Sequence, residues 1–359
     1  MSRVHVVLPD GVDDPGRPSG GNVYDRRVSD GLSAAGWDVR EIVARGGWPR
    51  PDADALRGLG SSLAAVPDDG LVLLDGLVAS AAAAVLVPES RRLRPVVLVH
   101  MPFGGVEVPA EDEAAVLMHA RAVVTTSAWT RALLLGRHPL DPARVQVARP
   151  GVHPGIPVAG GPDGGRLLCV AALAPHKGQD VLVEALSGLG ELGWRCTLVG
   201  SLDREPTYVQ RLRGRLVDLG LDDRIELSGP RVGDELRRAY AAADLLVLPS
   251  RREAYGMVVA EALAVGLPVV ASAVGGVPEA LGTTAVGAPG LLVPADDPLA
   301  LRAALSGWLL DADLRRRLRQ AALLRRSELS DWDATTRCLA SVLRTVDAEP
   351  APARARVPE

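Results

Sequence analysis

Two acidic residues and the segment between them carry the clearest chemical signal in the chain. Glu253 and Glu261 stand in SRREAYGMVVAEALAVGLPVVA, residues 250–271. The apolar run from Asp244 to Pro249 leads into it and reads as a buried parallel strand. Gly256 then opens an apolar helical run that stops at Gly266, with Pro268 beyond. One carboxylate precedes the helix and the other lies inside it. Eight helical residues rise about 12 Å, so both carboxylates can point to one side. That span suits the two ends of an extended ligand rather than two oxygens of one reacting centre. Between them lies a helix N-terminus, whose unpaired N–H groups and positive dipole end suit a phosphate. The stretch reads as a cradle for a ligand with hydroxyls at both ends and phosphate in the middle.

Other chemistry-bearing residues depend on the elements around them. Val4 to Leu8 reads as a first strand, and Gly20-Gly21 opens a helix running to about Leu32. Strand, glycine loop and helix let backbone amides approach a phosphate. Pro95 to Val99 is an all-apolar strand that ends at His100, before a Gly/Pro loop. Open α/β sheets place ligands at that end of a strand. Further strands are expected at Val39 to Val43, Leu71 to Leu74, Ala122 to Thr125 and Arg144 to Ala148. Helices are expected at Leu77 to Leu86, Glu111 to His119 and from Ser127, a capping residue, to near Gly136. The dense Gly/Pro run from Pro150 to Gly165 marks a domain boundary. Beyond it, Arg166 to Ala171 reads as a strand, the loop from Pro175 to Gly178 carries Lys177, and Gln179 to Leu189 reads as a helix. The same alternation then continues to a final helix, Asp331 to Val346. The fold class is therefore α/β, with two doubly wound domains.

Composition sets the outer limits. A chain of 359 residues favours two domains, each with its own core. A net charge of −4 leaves no basic footprint for nucleic acid, and the scarcity of aromatics removes the stacking platforms that single strands need. Cys169, Cys196 and Cys338 fit no metal spacing and read as reduced thiols of a cytoplasmic protein. Met1 to Pro9 has no signal-peptide apolar region. Asp75-Gly76 splits the apolar stretch Leu71 to Pro88 into strand and helix rather than a membrane span. The Arg-rich run Arg315 to Arg326 reads as a solvated helix face, and association with a membrane surface is the weaker reading. Asp347 to Glu359 alternates Ala, Pro and charge and reads as a disordered tail.

Taken together, the glycine loop, His100, Lys177, the Glu253–Glu261 stretch and the following GGVPE, residues 275–279, resemble the retaining, nucleotide-sugar-dependent glycosyltransferases of family 4, among the glycosyl transferases group 1. The most specific part is GPRVGDELRRAYAAADLLVLPSRREAYGMVVAEALAVGLPVVASAVGGVPE, supported by LAPHKGQDVLVEAL and RPGV. The resemblance implies a GT-B fold of two facing Rossmann-like domains with a cleft between them. It implies an N-terminal acceptor-side domain at 1–155, a donor-side domain at 156–328, a helix at 329–346 crossing back to the first domain, and the tail at 347–359. Glu253 would bind hydroxyls of the donor sugar and Glu261 those of the ribose. The amides of Gly256, Met257 and Val258 would hold the diphosphate, with Lys177 as a point charge on it and the amides of Gly20 and Gly21 approaching it. His100 would reach the transferring sugar. The implied reaction is hexosyl transfer with retention, in which the leaving diphosphate takes the proton of the attacking hydroxyl. It calls for a nucleoside-diphosphate-sugar donor, a small-molecule, glycan or lipid acceptor, no cofactor and no metal.

One departure from the family pattern concerns charge. Ala172 stands five residues before Lys177, where an Arg is usual, and His176, Arg251 or Arg252 would have to replace it. A neutral His is the weaker replacement. The departure motivates an alternative: a GT-B-like nucleotide-sugar-binding protein without catalysis. A dinucleotide-dependent oxidoreductase is disfavoured, because neither half shows G-x-G-x-x-G directly after its first strand with an acidic residue about 20 positions on.

Overall fold

The computed structural model describes residues 2–349. Within them the chain forms two units. The first comprises the described residues of Met1–Val12, Gly21–Pro150 and Trp332–Glu359; the second comprises Asp13–Gly20 and Gly151–Asp331.

The first unit contains β1 (Arg3–Pro9), most of α1 (Gly20–Ala34), β2 (Asp38–Ala44), α2 (Ala53–Ala64), β3 (Leu71–Asp75), α3 (Gly76–Ala79), α4 (Ala83–Glu89), β4 (Arg94–Val99), α5 (Ala110–His119), β5 (Ala122–Thr125), α6 (Ala128–Arg137) and β6 (Val145–Val147). The strands pair in parallel in the order β2-β1-β3-β4-β5-β6. Every residue of β3 is buried, as are five of the six in β4, because helices cover both faces of the sheet. Ser127 caps α6 as expected, its Oγ accepting from the Thr130 N–H at 3.0 Å. The helix expected over Leu77 to Leu86 is interrupted: α3 ends at Ala79, and Ala82 sits at φ −120°, ψ 31° before α4.

The second unit contains β7 (Arg166–Val170), α7 (Gln179–Ser187), β8 (Arg195–Val199), α8 (Pro206–Asp218), β9 (Ile225–Gly229), α9 (Gly233–Ala242), β10 (Leu245–Leu248), α10 (Met257–Ala264), β11 (Val269–Ser272), α11 (Val277–Leu281), β12 (Gly290–Val293), α12 (Pro298–Leu310) and α13 (Ala312–Arg326). Its parallel order is β12-β11-β10-β7-β8-β9. Strand β11 emerges within the segment read mainly as a helix and its exit. Arg315 of the Arg-rich run is itself buried, its Nη1 donating to the carbonyls of Trp308 and Leu309 at 2.8 Å, so that face is not wholly solvated.

The last helix, α14 (Trp332–Ala348), belongs to the first unit and packs beneath β3, β4 and β5. Its contact with α1 is close. A Cβ on Gly31 would lie 2.3 Å from Thr336 Oγ1, so the missing side chain is what lets the helices meet. Helix α14 includes Asp347 and Ala348; Pro350 to Glu359 of the expected tail lie outside the described residues.

These contacts predict opposite outcomes for two helical glycines. Gly31→Ala overpacks the α1–α14 contact and destabilises by about 1–3 kcal/mol. Gly58→Ala, in exposed α2 with nothing within 4 Å, stabilises by up to about 1 kcal/mol through helix propensity. Denaturant unfolding of both variants checks the signs; a neutral Gly31→Ala would contradict the close packing.

Candidate functional site

In each sheet the strand order reverses beside the unit's first strand. In the second unit β7 runs on to β8 and β9 in one direction, while β10 to β12 extend in the other. The loops leaving β7 and β10 therefore diverge to opposite faces and open a crevice at the carboxyl edge. The loop after β7 carries Lys177 in a single 3-10 turn, Pro175–Lys177, closed by Gly178 at φ 69°. A Cβ on Gly178 would lie 2.1 Å from the Pro249 carbonyl oxygen, so glycine lets this loop lie against the end of β10. The Arg251 N–H donates to the His176 carbonyl at 2.9 Å and ties the two loops.

That arrangement brings Lys177 and Glu253 together. Lys177 Nζ donates to Glu253 Oε1 at 2.7 Å, and Ser250 Oγ donates to the same oxygen at 2.9 Å. The two charged side chains are 21% and 11% exposed, so each depends on the other for compensation. Lys177 is also the chain's single lysine; every other permanently cationic side chain is Arg. A compact ammonium at this one position is a signal that the sequence carries and that motif spacing alone passes over.

Gly256 follows at φ 88°, a left-handed conformation suited to glycine, and starts α10 with no side-chain cap. The first-turn N–H groups of a helix have no partner within it, and here the Val259 N–H returns to the Gly256 carbonyl at 2.9 Å. Five residues on, Glu261 accepts from the Tyr240 hydroxyl through Oε2 at 2.7 Å. Burial raises the Glu261 pKa, and the Tyr240 hydrogen bond opposes the rise. The two carboxylates thus have separate partners: Glu253 faces an ammonium and Glu261 a phenol. Tyr240 and Ser250, both within the quoted motif, were not singled out from the sequence.

The proposed substitutes for a cation at Ala172 differ in availability. Burial, with the neighbouring Lys177 charge, pushes His176 down to about 4, so it is neutral near pH 7. Arg251 is committed: it donates to Asp180 Oδ1 and Oδ2 at 2.9 and 2.8 Å and to Asp296 Oδ1 at 2.8 Å. Arg252 is exposed. Ala172 itself offers its carbonyl to Gln179 Nε2 at 3.0 Å.

The first unit has its own reversal, between β1 and β3. Gly20 opens α1 and groups with the second unit; Gly21 belongs to the first. His100 follows β4, and the loop after it is held by buried Glu113, which accepts from the N–H groups of Phe103 and Gly104 at 2.9 and 3.1 Å. The imidazole packs edge-on to Tyr24, with centroids 5.2 Å apart and planes at 71°. A Cβ on Gly21 would come within 3.2 Å of His100 Cδ2, so Gly21 makes room for the ring. His100 Nε2 lies 2.6 Å from Asp25 Oδ1, and buried Asp75 completes a cluster of three. Neither aspartate was expected from the sequence. In the sequence Asp75 marks only the break between a strand and a helix, and a lone Asp inside a helix gives no sign of burial.

Comparison with known proteins places these features. Residues 161–325 match the family model described as Glycosyl transferases group 1. A D-inositol 3-phosphate glycosyltransferase of Salinispora tropica is 33% identical over 264 residues, covering 66% of this chain and 53% of the relative. The matched chain spans about half the length of such curated relatives. Among solved structures, sucrose-phosphate synthase from Thermosynechococcus elongatus aligns with a TM-score of 0.80 at 22% identity, covering 97% of this chain and all of that one. HepE from Anabaena, in complex with UDP-glucose, aligns at 0.76 and 18% identity, covering 96% and 100%. Among the described residues, no helix is long and apolar enough to cross a membrane. The two parallel, doubly wound sheets have the GT-B fold, and Lys177, Glu253 and Glu261 all lie within the segment 161–325 that matches the Glycosyl transferases group 1 model.

Proposed function

We propose that the protein transfers a sugar, with retention of anomeric configuration, from a nucleoside-diphosphate-sugar donor to an acceptor hydroxyl, as family 4 enzymes do. The observation that carries this reading is the Lys177–Glu253 pair beside the uncapped N-terminus of α10. An ammonium and converging amides suit a diphosphate, and an adjacent carboxylate suits the hydroxyls of the sugar attached to it.

In this reading the diphosphate lies against the amides of Gly256, Met257 and Val258, with Lys177 Nζ as its point charge. Glu253 then receives sugar hydroxyls in place of part of its bond to Lys177. Glu261, held by Tyr240, accepts from the ribose hydroxyls. The amides of Gly20 and Gly21 serve the diphosphate, and His100 serves the transferring sugar. As the glycosidic bond breaks, negative charge grows on the leaving phosphate, where Lys177 and the helix amides stabilise it. The same phosphate oxygen takes the proton of the attacking hydroxyl, and the acceptor oxygen bonds to the anomeric carbon on the face the phosphate leaves. Atoms balance without a covalent enzyme intermediate, so no second carboxylate of the glycosidase kind is needed. The reading calls on no metal. The relatives' name suggests a phosphorylated polyol as acceptor.

The alternative is a nucleotide-sugar-binding protein without transfer activity, favoured by Ala172 and by the commitment of Arg251 to Asp180 and Asp296.

Transfer from UDP-glucose and other nucleoside-diphosphate sugars to D-inositol 3-phosphate, followed by product mass and anomeric proton coupling, separates these readings. We expect a product with the donor's anomeric configuration and a loss of about 100-fold or more in kcat for Glu253→Gln. Donor binding without product in any pairing would favour the alternative, and an inverted product would refute retention.

A second expectation follows from Glu261. Its carboxylate must be ionised to accept from ribose, and burial has raised its pKa, so nucleoside affinity is full above that pKa and falls as pH drops through it. Tyr240→Phe removes the hydrogen bond that favours the carboxylate, so the fall moves to higher pH. Titrating uridine affinity of both proteins between pH 4 and 8 tests this; coincident midpoints would contradict it.

A further inference from the structure

The cluster under His100 has a chemistry of its own. Asp25 comes from α1, Asp75 closes β3 and His100 follows β4, and one polar atom of each lies within 4.8 Å of the other two. Asp25 and Asp75 are 3% and 5% exposed. Asp75 Oδ1 accepts from the Leu77 N–H at 2.7 Å. Asp25 Oδ2 meets no donor among the N–H and O–H groups around it. Two buried carboxylates this close repel when both are ionised, which favours a proton held between them. Burial favours that proton: it raises Asp25 to about 7 and Asp75 well above the usual carboxylate range. The adjoining cavity is about 10 Å³ and is walled by apolar side chains such as Leu8, Leu73 and Leu98. That is at most the room of one water.

The imidazole completes the pattern. Burial lowers the His100 pKa, so the ring is neutral near pH 7 and carries one N–H. Nε2 faces Asp25 Oδ1 at 2.6 Å. This is a hydrogen-bond length; two ligands of one tetrahedral cation with bonds near 2.0 Å would stand about 3.3 Å apart. Where the proton of the carboxyl pair lies on Asp75, Asp25 Oδ1 is an acceptor and the Nε2 facing it carries the hydrogen. Tyr24 at the ring edge and Gly21 against Cδ2 oppose rotation of the ring.

We propose that Asp25 and Asp75 hold one proton between them, and that Asp25 thereby fixes His100 as the Nε2–H tautomer and leaves Nδ1 as a hydrogen-bond acceptor for a hydroxyl of the bound sugar. Asp25 and Asp75 are positioning residues, and Nδ1 is the atom that selects: it accepts a hydroxyl and gives nothing to a carbonyl or ether oxygen. The ligand half of this inference rests on the proposed glycosyl transfer; the tautomer does not.

Nitrogen-15 NMR of the full chain, labelled in its histidine rings, tests both halves at pH 7. His100→Gln assigns the resonance among the six histidines. The expected result is a protonated Nε2 and a bare Nδ1. Asp75→Asn keeps the tautomer, because its amide donates to Asp25 as the shared proton does and its oxygen still accepts from Leu77. Asp25→Ala yields a tautomer mixture or the Nδ1–H form. Should that variant not fold, the wild-type and Asp75→Asn spectra still decide the matter. An Nδ1–H or cationic ring in the wild type, loss of the tautomer in Asp75→Asn, or stoichiometric Zn²⁺ binding that displaces the Nε2 proton would each overturn the proposal. Saturating UDP-glucose should then shift Nδ1 towards a hydrogen-bonded position. Bound UDP-glucose with Nδ1 unmoved would overturn the ligand half. Failure of UDP-glucose to bind at all would count against the donor reading and leave the tautomer standing.

Discussion

The reversal of strand order beside β1 and beside β7 is the constraint on which the rest depends. In a parallel sheet every connection leaves from a carboxyl end. Where two neighbouring strands send their chains to opposite faces, the edge between them stays open. At β7 and β10 that opening brings a loop lysine and a loop glutamate, 76 residues apart in sequence, to 2.7 Å. Between β1 and β3 the same topology gathers Asp25, Asp75 and His100. Lys177, Glu253 and His100 are carried by loops, while the buried strands beneath fix where those loops begin.

Partial burial then decides how each charged group behaves. Lys177 and Glu253 are mostly shielded from water, and removing one partner from such a pair costs about 3–5 kcal/mol because a charge is left uncompensated. Glu261 finds a phenol, and the Asp25 carboxyl finds an imidazole, with the Asp75 carboxyl close by. Lys177, Glu253 and Glu261 each have a partner within the protein. A ligand must therefore replace an existing bond with a better one. A diphosphate can do this at Lys177, and hydroxyls at Glu253 and Glu261.

Much of the fold was legible because parallel strands buried on both faces leave unbroken apolar runs, as in Leu71–Asp75 and Leu245–Leu248. Glycines marked the helix starts for a related reason: Gly178 and Gly256 adopt positive φ at turns where a side chain would be strained. What escaped was decided by tertiary contact. The break at Ser80 to Ala82 lies in an Ala-rich stretch with no local breaker. Asp25 looks like any solvated helix residue until β3 and β4 enclose it. Tyr240 lies on a different helix from the carboxylate it serves. The uniqueness of Lys177 was in the composition all along, and it gains meaning once its ammonium is seen in an ion pair at the strand reversal.

The central claim is that a diphosphate docks on Lys177 and the head of α10. It is tested most directly by comparing the dissociation constants of UDP and uridine for wild-type protein and Lys177→Ala, by calorimetry at fixed salt and pH. Loss of a charge-assisted contact of about 1.5–3 kcal/mol predicts that UDP affinity falls about 10- to 150-fold while uridine affinity changes less than about 2-fold. Equal losses for the two ligands, or no loss for UDP, would contradict a phosphate role for Lys177.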